Sequence, residues 1–312
     1  MNSQRDIPLP GKEGVDACFT LFSALLLLLG VDTIRKVVEL ATDWSNGHAS
    51  QILVVPFVSG WLIWLKRKTL FENPRPSVLP GGVVVALGVS LFVFAKTSAV
   101  GLSANDVLSL LTGSLIVLWL GGFLMAYGPA ALRAALFPLL FLFSAVPIPS
   151  ALLDRLIALL QAGSAEMAYR LIKLFGVPVY REGFVFAMPD VVIEVAPACS
   201  GIRSAIAIFI SGLIAGHVFL RSLWRKAFLL TVAIPVLFFK NAVRIAVLSV
   251  LAVHWDKRVL TSSLHTDGGV VFFLLGLCLL YPVLVVLVKS EKKLSETQEL
   301  DARTSPPVSG GR

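Results

Sequence analysis

Long apolar runs, separated by short polar or basic stretches, fill most of the chain, and no other feature limits its fold as strongly. A helix needs roughly 18 or more apolar residues to cross the hydrocarbon core, and inside lipid its backbone must satisfy its own hydrogen bonds. With 56% hydrophobic residues, 15% charged residues and a mean hydropathy of +0.84, the 312-residue chain is far more apolar than a soluble domain. It reads as an all-α integral membrane protein of about eight transmembrane helices, at roughly 17–38, 50–66, 80–98, 106–127, 130–148, 199–220, 227–252 and 264–288.

The net charge of +8 and pI near 9.6 do not point to nucleic acid. The basic residues flank the apolar runs, as in KRK at Lys66 to Lys68, RSLWRK at Arg221 to Lys226 and KSEKK at Lys289 to Lys293. Such flanks set orientation in a membrane, and alternating the spans puts both termini in the cytoplasm. The three cysteines, Cys18, Cys199 and Cys278, lie far apart, with no CxxC pair and no histidine at ligand spacing. Neither a disulfide scaffold nor a metal site is expected, and no cofactor motif is visible.

Between the fifth and sixth spans lies the longest extramembrane piece. Leu156, Leu159, Leu160, Met167, Leu171, Leu174 and Phe175 recur there at near-helical spacing, with Arg155, Glu166, Arg170 and Lys173 between them. The pattern predicts one or two amphipathic helices on the outer membrane face. VPVYREGFVFAMPDVVIEV follows, rich in β-branched and aromatic residues and broken at Glu182-Gly183 and Pro189-Asp190, which predicts a short hairpin. Residues 1–290 thus form one membrane domain, and the polar segment 291–312 reads as a disordered cytoplasmic tail.

The hairpin delivers the chain to EVAPACSGIRSAIAIF, where Cys199 opens the sixth span with Arg203 one turn on. Taken singly, a cysteine here is a small apolar filler and an arginine snorkels to the interface. The predicted topology, however, brings Cys199, Arg244 in the outer half of the seventh span and His265 at the start of the eighth to one membrane face. Ions inside spans are costly and are usually functional or paired. The positive end of a helix and a cation such as Arg203 favour a thiolate, the nucleophilic form of cysteine. An always-charged guanidinium suits the oxyanion of an attacked carbonyl, and histidine, titrating near neutrality, suits proton transfer to the leaving amine. The set Cys199, Arg244, His265 therefore reads as an acyl-transfer site. Asn241, one turn from Arg244, is placed to orient it, whereas Lys240 and His217 fall toward the inner ends of their spans and His254 reads as an interface anchor.

These residues resemble the exosortase/archaeosortase family, multi-pass membrane cysteine transpeptidases. The resemblance rests on FPLLFLFSAVPIP at Phe137, GVPVYREG at Gly176, VAPACSGIRS at Val195, NAVRIAVL at Asn241 and the histidine of LHTDGG at Leu264, and more loosely on the stretch around His48. It implies Cys199 as nucleophile, Arg244 as its basic partner and His265 as third member. It further implies cleavage, through a thioester, of a C-terminal sorting signal such as PEP-CTERM. The partners implied are exported proteins carrying a short motif, an apolar span and a basic tail. The expected place is the cell inner membrane, among its lipids, with the site facing the exterior. A rival class is a transporter or assembly factor for envelope polysaccharide or lipid, with Arg203, Lys240 and Arg244 lining an anion path. A transporter tolerates loss of the Cys199 thiol; an acyl-transfer enzyme does not.

Overall fold

The computed structural model describes residues 11–43, 49–72, 74–97, 100–189, 191–256, 258 and 269–304. It divides near Leu153 into two compact units. Helices dominate, as the apolar runs require: α1 (Lys12–Leu29), α2 (Val31–Thr42), α3 (Val54–Leu65), α4 (Arg67–Phe71), α5 (Val78–Thr97), α6 (Ala104–Ala134) and α7 (Leu136–Phe141) precede the boundary. Helix α8 (Ser150–Leu174) spans it, and α9 (Ile202–Phe219), α10 (Leu223–His254) and α11 (Gly269–Thr304) follow.

Among the described residues five helices are long and apolar enough to cross a membrane: α5, α6, α9, α10 and α11 through Leu294. Two bent pairs, α1 with α2 at 66° and Leu136–Ala145 with α8 at 87°, raise the number to seven if each is one span. The predicted eight differ from this mainly at 50–66, where the apolar helix Ser50–Leu65 is shorter than the roughly 18 residues that a crossing needs. Within Ala104–Ala134 the helix breaks at Gly128, whose backbone is non-helical (φ 79°, ψ 179°), just before Pro129, where the predicted spans 106–127 and 130–148 part.

In the first unit α6 begins at an N-cap, with Ser103 Oγ accepting from the Asp106 backbone N–H at 3.1 Å. Its C-terminal half packs with α1, α4 and α7 through Val15, Leu70, Phe123, Tyr127 and Leu139. Along α5 and α6 the backbones nearly touch. A Cβ on Gly81 would meet the Met125 backbone nitrogen at 2.6 Å, one on Gly88 that of Leu118 at 2.9 Å, and one on Gly121 that of Val85 at 2.7 Å. Small residues supply this packing where lipid offers no hydrophobic drive between helices.

The second unit is built around α10. Helix α8 is a single amphipathic helix, and the predicted hairpin gains a further strand. Strands β1 (Tyr180–Glu182), β2 (Val185–Met188) and β3 (Val191–Glu194) form an antiparallel sheet in the order β1-β2-β3. Ala165, Ala168 and Ile172 of α8, Phe186 and Val191 of the sheet, and Ala242, Ile245 and Ala246 of α10 make one core. Phe186 is fully buried, so its truncation to alanine would cost about 3–5 kcal/mol. A second core joins α9, α10 and α11 through Ile208, Leu229, Ala233 and Leu280. The polar segment predicted to be disordered is helical as far as Thr304. Its first acid, Glu291, accepts from the backbone N–H groups of Arg221 and Ser222 and pairs with the buried Arg225 at 3.1 Å, tying α11 to the start of α10.

Candidate active site

The chain reaches the candidate nucleophile through a short, heavily constrained turn. After β3, the side-chain amide of Gln161, buried on α8, donates to the Val195 carbonyl at 2.5 Å. Pro197–Ser200 form a single 3-10 turn, closed by the Cys199 N–H on the Ala196 carbonyl at 2.8 Å. Gly201 follows in the left-handed conformation, φ 74°, ψ 21°, and caps α9. A side chain there would be strained, and its Cβ would lie 2.6 Å from Asn241 Oδ1. Cys199 therefore sits just ahead of the α9 N-terminus, close to the predicted position.

Two neighbours on α10 hold this turn. Asn241, almost wholly buried, donates through Nδ2 to the carbonyls of Cys199 and Ser200, each at 3.0 Å. Lys240, equally buried, donates to the Gly201 carbonyl at 3.4 Å and to Ser204 Oγ. Three consecutive carbonyls are thus fixed by adjacent residues of one helix, and the main chain around the thiol is locked to α10.

Two expectations are corrected here. Asn241 was expected to orient Arg244, but its hydrogen bonds go to the Cys199 turn and its Oδ1 has no partner among the described residues. Lys240 was placed away from this face by the depth of its Cα, yet its long stem carries the ammonium to the turn. Lysine next to asparagine on an inward-facing helical turn was the signal available in the sequence.

Cys199 and Arg244, both half-buried, line one small cleft. Its remaining walls are apolar, from Ile193, Val195, Ile245 and Leu248, apart from Glu194 and Ser249. The Ser249 hydroxyl is fully buried and has no hydrogen-bond partner among the described residues. Arg203 is exposed on the first turn of α9 and lies outside the cleft. Cys18 and Cys278 are exposed on the apolar helices α1 and α11. His265 and His48 lie outside the described residues.

The thiol of Cys199 and the guanidinium of Arg244 thus belong to the lining of one recess with largely apolar walls. Fold and cleft together define a multi-pass helical membrane protein with a thiol and a guanidinium in one recess. Residues 44–282 match the transmembrane exosortase family, and the chain belongs to that family of sorting-related membrane enzymes. No curated protein and no solved structure matches it.

Proposed function

We propose that the protein is a membrane cysteine transpeptidase that cleaves a C-terminal sorting signal of exported proteins and passes the new C-terminus to an acceptor. The observation that carries this reading is the shared cleft of Cys199 and Arg244 in a chain of the exosortase family. The Cys199 thiolate attacks the carbonyl carbon of the signal's scissile peptide bond, forming a C–S bond while the carbonyl π electrons move to oxygen. Arg244 holds that oxyanion with its fork of donors. As the oxyanion collapses, the C–N bond breaks and His265 gives its proton to the leaving amine. The thioester is then attacked by an acceptor amine or water, whose proton His265 takes up. Sulfur leaves as thiolate, and the site returns to its starting state.

Arg203 supports the thiolate by charge from the first turn of α9, and Asn241 supports it by fixing the main chain. The signal is of the PEP-CTERM kind, the membrane is the cell inner membrane, and the cleft faces the exterior.

The test is intact-mass analysis of the enzyme, quenched with acid in the presence of the exported proteins of its own cell. An acyl adduct on Cys199, removed by hydroxylamine, is expected. Cys199→Ala should abolish processing, whereas Cys18→Ala and Cys278→Ala should process normally. Full processing by Cys199→Ala would eliminate the thioester route and favour a transporter or assembly factor.

A further inference from the structure

Strand β3 and the residue after it supply part of the lining of the cleft that holds Cys199 and Arg244. Strand β3 pairs with β2 in the register Val185 to Glu194, Phe186 to Ile193, Ala187 to Val192 and Met188 to Val191. Just beyond it the Val195 N–H donates to the Phe184 carbonyl at 2.9 Å. In an antiparallel pair, hydrogen-bonded and non-hydrogen-bonded residues alternate, so Val195 sets the phase. Ile193 and Val191 bond to β2, while Val192 and Glu194 direct their main-chain groups to the opposite edge. The Glu194 carbonyl is taken by the Ala196 N–H at 3.0 Å, leaving the Val192 N–H and C=O and the Glu194 N–H facing outward. No described strand pairs with that edge.

Unpaired edges are templates for strand addition, which natural sheets usually blunt. This edge leads directly to the candidate nucleophile. Glu194 and Val195 line the same cleft as Cys199 and Arg244, and the cleft also holds the buried, unpartnered Ser249 hydroxyl. A hydroxyl with no partner in an otherwise apolar recess marks a position for a polar group of a ligand. Gln161 holds the Val195 carbonyl where the strand passes into the Cys199 turn, so edge and thiol belong to one connected arrangement.

We infer that β3 is the substrate-binding strand: an extended peptide adds to its outer edge, main chain to main chain, and is thereby led into the cleft. This rests on the proposed peptide-cleaving function and specifies how the substrate is held. The Val192 N–H and C=O and the Glu194 N–H bind the peptide backbone, and Ser249 Oγ meets a backbone polar group beside the scissile carbonyl. The apolar wall of Val195, Ile245 and Leu248 accepts a side chain of the residue next to the bond cut. Strand addition reads main chain for affinity and alternate side chains for specificity, which suits an enzyme that processes many proteins sharing a short motif.

The edge position makes a clean variant available. Proline at 192 deletes an outward N–H without removing a bond to β2, the setting in which sheets tolerate proline. The full-length protein in detergent is treated with two thiol reagents: iodoacetamide and the chloromethyl ketone of acetyl-Val-Ala-Val-Ala. The peptide reagent should label Cys199 faster than iodoacetamide, and in Val192→Pro that advantage should fall by about tenfold, as for loss of one main-chain hydrogen bond in a partly dehydrated cleft. Iodoacetamide reads the thiol's own reactivity in each protein, so the advantage is taken as the ratio of the two rates. An unchanged advantage in Val192→Pro overturns the inference.

A second measurement does not depend on the thiol. In Cys199→Ala protein, acetyl-Val-Ala-Val-Ala amide at millimolar concentration should slow hydrogen exchange at Val192 and Glu194 and leave β1 unaffected. Slowed exchange combined with an inert Cys199 would uphold strand addition while removing the proposed chemistry. Absence of protection overturns strand addition whatever the thiol does.

Discussion

Asn241 donates from one side-chain amide to the carbonyls of both Cys199 and Ser200, at 3.0 Å each, so a single residue of α10 fixes the main chain on both sides of a peptide link at the proposed nucleophile. Both acceptors are held inside the second unit, where Asn241 itself is almost wholly buried. Asn241→Ala strands two carbonyls at once and should cost about 1–3 kcal/mol. Thermal unfolding in detergent measures that loss, and the rate of Cys199 alkylation measures displacement of the thiol. A variant with unchanged melting and unchanged alkylation would show that the amide is not what holds the turn.

Gly201→Ala is expected to be worse than its size suggests. The left-handed backbone alone disfavours a side chain by about 1–2 kcal/mol, and the added Cβ would lie 2.6 Å from Asn241 Oδ1. Gly82→Ala in α5, where nothing lies within 4 Å of the new Cβ, serves as control and should be neutral or slightly stabilising. Comparable accumulation and activity of the two variants would contradict the tight fit.

Lys240 carries a buried ammonium whose named partners are one carbonyl and one hydroxyl. Replacing a buried ion by an apolar side chain of similar length is often neutral or stabilising. Lys240→Met should therefore melt at the same temperature or higher, while substrate processing falls because the Gly201 carbonyl is no longer held. Loss of stability together with activity would assign Lys240 a purely structural part.

At Arg244 lysine separates charge from geometry. A cation needed only for its charge is replaced adequately by lysine, which also snorkels. An oxyanion donor is not, since its planar fork is lost, and removing one such donor costs about 10²–10³ in rate. Arg244→Lys should accumulate normally and process substrate more slowly on that order, read as the ratio of unprocessed to processed protein at matched enzyme level. Near-normal processing would end the oxyanion assignment.

Orientation is tested on the sheet. Tyr180 is 69% exposed on β1, so a cysteine there, in a chain lacking the three natural thiols, is accessible to reagents. A membrane-impermeant maleimide applied to whole spheroplasts should label Tyr180→Cys. Labelling only after lysis would put the cleft on the cytoplasmic side.

Apolar length made α5, α6, α9, α10 and α11 legible in the sequence, because a membrane span is a local, composition-driven property. The amphipathic spacing of α8 and the turn residues at Glu182-Gly183 and Pro189-Asp190 were equally local, and they located the sheet, though a β1 of three residues is too short for alternation to reveal. Cys199 and Arg244 were paired from span depth alone, Cys199 lying just ahead of α9 and Arg244 in the C-terminal half of α10. Depth failed for Lys240, whose functional atom is several bonds from its Cα. Helical spacing failed for Asn241, since sharing a face with Arg244 says nothing about which way the amide leans. The 66° bend between α1 and α2 falls inside one apolar run and was not legible in it, whereas the break at Gly128 lies where two predicted spans part.

The glycine contacts between α5 and α6 bear on how the chain is made. Each helix supplies small residues against the other's backbone, so the hairpin of these two apolar segments has its full interface as soon as both have left the ribosome. It can enter the bilayer as a finished pair, without waiting for later helices to cover it. The half bearing Cys199 is translated only afterwards, and a nascent chain halted beyond Ala134 would already carry the α5–α6 pair in the membrane before the Cys199 thiol exists.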